Sequence, residues 1–187
     1  MTARPAAPPD LDAAPALAAS LLGTADQPAR ATRPIDRHDL AELYAACAAA
    51  LDDGDYERWP SFFAEECSYV ITTKENLERG WAIALLSCES RGALLDRVFA
   101  VRETLFYMPR VQRRLVSGAR LVGADETGAH VRASFAVFET LVGEHTTLFA
   151  TGRFLDVVRY EGDALKFVKR TCVLDASLVP SSLPFPI

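Results

Sequence analysis

Apolar residues recur at helical spacing over residues 37–51, where Leu40, Leu43, Tyr44, Cys47 and Leu51 share one face. Asp36 is placed to cap that helix, Asp39 suits its first turn, and Gly54 suits a stop. A second helix is predicted over 93–107, with Leu94, Val98, Val101 and Leu105 on one stripe and Pro109 as its end. Between them, Tyr56, Trp59, Phe62 and Phe63 predict an aromatic turn of helix that plugs one end of a core. Residues 67–73 read as a strand.

From residue 129 the period drops to two. Three strands are predicted over 129–141, 146–160 and 164–174, joined by short turns at Gly143-Glu144-His145 and Glu161-Gly162-Asp163. A three-residue first turn places Arg132 opposite Asp156, an opposite-charge pair. The same register gathers Val131, Ala133, Phe135, Val137 and Leu141 on one face with Phe149, Leu155 and Val157. Helices followed by a curved antiparallel meander give the α+β class. The predicted core domain spans 36–175. Residues 1–35 hold six of the eleven prolines and read as an Ala/Pro-rich arm or disordered leader, with a short helix possible over 16–22. Residues 176–187 carry no charge and include Pro180, Pro184 and Pro186. They predict an extended apolar arm docked on a surface, between subunits in one reading.

Composition narrows the function. One domain is expected at 187 residues with half of them apolar. A net charge of −5, with both signs interspersed, argues against a nucleic-acid face or an anionic membrane partner. No apolar run is long enough to cross a membrane, and no secretory signal pattern opens the chain. Cys47, Cys67, Cys88 and Cys172 have no zinc or cluster spacing and predict buried, reduced thiols in a cytoplasmic protein. The only histidines are His38, His130 and His145. The last two fall at opposite ends of one predicted strand, roughly 50 Å apart, so no two of the three can share a metal within one chain. Neither a phosphate-cradling loop nor a nucleophile elbow is present.

Five segments in order carry a family resemblance. They are Asp55-Tyr56-Glu57-Arg58-Trp59-Pro60-Ser61-Phe62-Phe63, Cys67-Ser68-Tyr69, Asn76-Leu77-Glu78-Arg79-Gly80, Asp96-Arg97-Val98 and Arg170-Thr171-Cys172-Val173-Leu174-Asp175. Over about residues 37–187 the chain resembles the small (β) subunits of the aromatic-ring-hydroxylating, Rieske non-haem iron oxygenases. The Pro-Ile ending is similar to that of salicylate 5-hydroxylase-type small subunits, with terephthalate- and anthranilate-type subunits next. The resemblance implies the cone-shaped, nuclear-transport-factor-like (cystatin-like) fold with a filled interior. It implies a structural subunit with no catalytic, cofactor-binding or metal-binding residues of its own. Three copies would assemble with three catalytic large subunits, which hold the Rieske [2Fe-2S] cluster and mononuclear iron and are served by a ferredoxin or reductase. It further suggests a benzoate-like substrate for the complex. A Rieske centre needs two cysteines and two histidines, and the iron two histidines and a carboxylate, which this chain is not set up to supply. The basic cluster Arg110, Arg113 and Arg114, read as preceding the sheet, is an expected meeting point with the large subunit.

Two other functions fit the same fold. A stand-alone cone enzyme of isomerase or dehydratase type would use Glu139 and Arg153, which interrupt the apolar sheet face, with Tyr44 or Tyr69. A homodimeric binding module would pair through Phe138 and Phe154 on the face away from the core.

Overall fold

The computed structural model describes residues 34–178 and 183–187. Most of the predicted leader over 1–35, including its helix over 16–22, lies outside the described residues. The chain runs α1 (Arg37–Asp52), a 3-10 turn (Trp59–Phe62), β1 (Phe63–Thr73), α2 (Lys74–Glu78), β2 (Leu86–Cys88) and α3 (Arg91–Phe99). A wide π-turn (Ala100–Thr104) then leads to β3 (Arg110–Asp125), β4 (Gly128–Leu141), β5 (Thr147–Glu161) and β6 (Ala164–Leu174). The six strands form one sheet in the order β2-β1-β6-β5-β4-β3. Only β1 and β6 run parallel; the other pairings are antiparallel. The result is the expected α+β cone, a curved sheet closed on one face by helices.

The first helix follows its pattern. Asp36 accepts a hydrogen bond from the His38 amide at 2.6 Å, and Leu40, Leu43, Tyr44, Cys47 and Leu51 are buried. Trp59 meets Phe63 and Tyr69 edge-on, with centroids 5.5 and 5.1 Å apart, which plugs the core as the aromatic spacing suggested. The second helix ends earlier than predicted. Its π-turn adds a residue per turn and rotates Leu105 off the stripe, so that Leu94, Val98 and Val101 are buried while Leu105 is exposed.

The hairpin register is one step away from the predicted one. Arg132 lies opposite Leu155, and Val131 opposite Asp156. Beside the turn Glu139 pairs with Thr147, two steps from the predicted register, and a bulge in β5 takes one step back: Val137 pairs with Ala150 but Phe138 with Leu148, leaving Phe149 as the extra residue. Val131, Ala133, Phe135, Val137 and Phe149 do enter the core, and Phe154 joins them instead of facing outward. Leu155 turns to the other face, against Leu77 and Val173, and Val157 is buried outside the main cluster. Gly152 opposes Phe135, and a Cβ there would lie 2.7 Å from the Phe135 ring, so glycine is what admits that side chain.

Candidate functional site

Two polar clusters lie on the inner face of the sheet. The deeper one joins α1 to β5 and β6. The Tyr44 hydroxyl donates to Asp156 Oδ2 at 2.5 Å, and Arg170 Nε and Nη2 donate to the same oxygen at 3.2 and 3.0 Å. Arg170 also reaches Cys47 Sγ at 3.5 Å, and its guanidinium lies 3.7 Å from the Phe167 ring centroid and 4.2 Å from that of Phe154. Burial pushes the Asp156 carboxyl above its usual range, against the opposing pull of Arg170. Burial first, then the Asp156 charge, also raises the Tyr44 phenol, which therefore stays protonated and serves as a donor. Burial likewise raises the Cys47 thiol.

The second cluster sits at the mouth. Glu139 Oε2 accepts from Arg110 Nη1 and Gln112 Nε2, each at 3.0 Å. Arg114 pairs with Asp52 at the end of α1 at 2.8 Å and donates to Gln112 Oε1 at 3.0 Å and to the Pro186 carbonyl at 2.5 Å. The Arg114 amide also donates to the Asp52 carboxylate, which covers the free edge of β3 at this point. Residues 183–187 thread into this mouth. Phe185 stacks on Tyr56, and Ile187 exchanges hydrogen bonds with the Tyr69 hydroxyl, its amide at 2.8 Å and its carbonyl at 3.2 Å.

The sequence-derived candidates separate accordingly. Glu139 is buried on the inner face, whereas Arg153 is exposed on the outer face opposite Ser134, so the pair proposed for a cone enzyme is not brought together. Tyr44 and Tyr69 each bond inside the packed interior to Asp156 and Ile187. Arg110, Arg113 and Arg114 do not precede the sheet but open its edge strand. Arg110 and Arg114 are buried in ion pairs, leaving Arg113 as the only exposed member of the three. Phe138 is half-buried on the outer face without Phe154 beside it. His38 stands at the start of α1, His130 bonds Asp125 at 2.7 Å, and His145 lies exposed in the β4–β5 loop. All four cysteines are free and buried. Among the described residues, no three His, Cys, Asp or Glu side chains are grouped to hold a metal.

Two surface features had no sequence-level signal. An apolar run is exposed from α3 to β3: Leu95, Phe99, Phe106, Met108, Val111 and Leu115. On the outer face of β1 and β6, Trp81 and Ile83 roof a groove of about 670 Å³ floored by Val70, Thr72 and Thr171.

Residues 46–181 match the family described as ring hydroxylating beta subunit. The chain is 28% identical over 153 residues to subunit beta 2 of the terminal oxygenase component of terephthalate 1,2-dioxygenase from Comamonas sp., covering 82% of this chain and 99% of that one. It is 28% identical over 137 residues to the anthranilate 1,2-dioxygenase small subunit of Burkholderia cepacia, covering 73% and 85%. A crystal structure of a β subunit assigned to an aromatic-ring-hydroxylating dioxygenase of Novosphingobium aromaticivorans superposes with a TM-score of 0.73 at 30% identity, covering 81% of this chain and 96% of that one.

Proposed function

This chain belongs to the ring hydroxylating beta subunit family, and from that premise we propose that it is the non-catalytic scaffold of its oxygenase. The observation that carries the reading is the state of the interior. The groups a cone enzyme would turn toward a ligand are already engaged: Tyr44, Asp156 and Arg170 bond to one another between packed aromatic rings, and Glu139 is held by Arg110 and Gln112. Such groups position the fold; they do not face a reactant.

The large subunit supplies the chemistry. It carries the Rieske [2Fe-2S] cluster and the mononuclear iron, and a ferredoxin or reductase feeds it electrons. Three copies of each subunit form the complex. The chain contributes a core domain over 36–175, flanked by arms over 1–35 and 176–187, and no catalytic, cofactor-binding or metal-binding residue. Its cytoplasmic placement is supported by the four free thiols. The exposed apolar run around Phe106 supports a protein partner, since buried apolar anchors dominate interface energetics. The substrate is a benzoate-like aromatic acid, a reading supported by relatives whose names specify anthranilate and terephthalate.

The test is the mass and iron content of the chain expressed alone and with its large subunit. An iron-free chain alone and an iron-containing heterohexamer together are the expected results. A stable homodimer that ignores the large subunit overturns the scaffold reading.

A further inference from the structure

We infer that the mouth of the cone is a binding slot for an arylalkanoate, held shut by residues 183–187 of the chain itself. The segment enters as a ligand would. The Phe185 ring stacks on Tyr56, with centroids 5.3 Å apart and planes 16° apart, and meets Tyr107 edge-on at 4.7 Å. Its neighbouring carbonyls are gripped by guanidinium groups. Arg97 Nη2 donates to the Leu183 and Pro184 carbonyls at 2.5 and 2.7 Å, and Arg114 Nη2 to that of Pro186 at 2.5 Å. The groups that receive the ring and these carbonyls, Tyr56, Tyr107, Arg97 and Arg114, are side chains of residues far from the segment in sequence.

Charge decides the ligand class. Arg114 is paired with Asp52 and Arg110 with Glu139. Arg97 has no carboxylate partner among the described residues; its acceptors are neutral carbonyls. Its Nε is buried and finds no acceptor among them. A guanidinium that presents Nη2 to two oxygens while Nε goes unfilled is matched better by one carboxylate, which accepts from Nε and Nη2 together. Cβ, Cα and the amide nitrogen separate the Phe185 ring from the Pro184 carbonyl carbon, the span of 4-phenylbutyrate. Such a compound would place its ring between Tyr56 and Tyr107 and its carboxylate on Arg97. The segment and the ligand compete for one site, so occupancy by the ligand would release residues 183–187. This site is separate from the scaffold reading and needs no large subunit.

The experiment weakens the plug and measures binding to the full chain. Phe185→Ala removes the ring, and Phe185→Leu is the milder variant if the first does not fold. Calorimetric titration with 4-phenylbutyrate should show binding to the folded variant about ten-fold tighter than to the unaltered chain. The neutral analogue 4-phenylbutanol and the ringless butyrate should each bind about ten-fold more weakly than 4-phenylbutyrate. Adding Arg97→Gln should remove the preference for the acid over the alcohol. Equal binding of acid and alcohol, equal binding to the unaltered chain, or no binding to a folded variant would each overturn the proposal.

Discussion

Asp156 and Arg170 stand directly opposite each other on β5 and β6 and share two hydrogen bonds, with both side chains shut off from solvent. A pair this deep costs much to desolvate and more to break. Replacing Asp156 with Leu leaves the Arg170 charge without its carboxylate and should cost about 3–5 kcal/mol. The double change Asp156→Leu with Arg170→Met should cost clearly less than the sum of the two single changes, because no uncompensated charge remains. Urea unfolding of the two single variants and the double variant checks this. Additive losses would show that the pair is not coupled.

Gly152 marks how tightly the sheet closes on Phe135. A Cβ at position 152 would lie 2.1 Å from the Val173 carbonyl oxygen and 2.7 Å from Phe135 Cζ. The first neighbour is backbone in the adjacent strand and cannot step aside. Gly152→Ala should therefore destabilise by about 1–3 kcal/mol despite being the smallest possible addition. Pairing it with Phe135→Leu relieves only the clash with the ring, so partial recovery is expected in thermal unfolding.

These two sites also show what was legible from sequence. The inward positions of β4 and the face of α1 follow their periodicities and were readable. The bulge at Phe149 was not, because an extra residue in one strand leaves the alternation of the other untouched. It placed Phe154 and Asp156 in the core against expectation. The edge strand β3 was missed for a different reason. Its alternation is inverted: Gln112 and Arg114 are buried while Val111 and Leu115 are exposed. A polar-inward pattern reads as a charged connection unless the partners Glu139 and Asp52 are known, and those lie far off in sequence. The mouth cluster was invisible for the same reason, although Glu139 was singled out as a break in the apolar face.

Alkaline pH should expose the buried thiols. Burial pushes Cys172 up to about 12, from an ordinary value near 9. A raised folded-state value means that the unfolded chain loses its proton first. The contribution to stability is complete below about pH 9 and is lost as pH rises through about 12. The urea midpoint should fall across that window, and Cys172→Ala should flatten the fall. An unchanged slope in the variant would assign the alkaline loss to other groups.

Phe106 is the sharpest test of the surface. It follows the π-turn, is fully exposed, and lies along the chain between exposed Phe99 and Met108. A solvent-exposed aromatic ring contributes little to the fold, so Phe106→Asp should change the stability of the chain by no more than about 0.5 kcal/mol. If this run meets the large subunit, the same change places a charge where an apolar anchor should dock. Anchors of this kind contribute about 2 kcal/mol or more, or roughly a thirty-fold loss of affinity. Co-purification with the large subunit should drop accordingly, while Asp163→Ala, in the exposed turn between β5 and β6 at the other end of the sheet, should leave it nearly unchanged. Full assembly of the Phe106→Asp variant would move the interface elsewhere, and the uncovered outer face around Leu148 would be the next surface to charge.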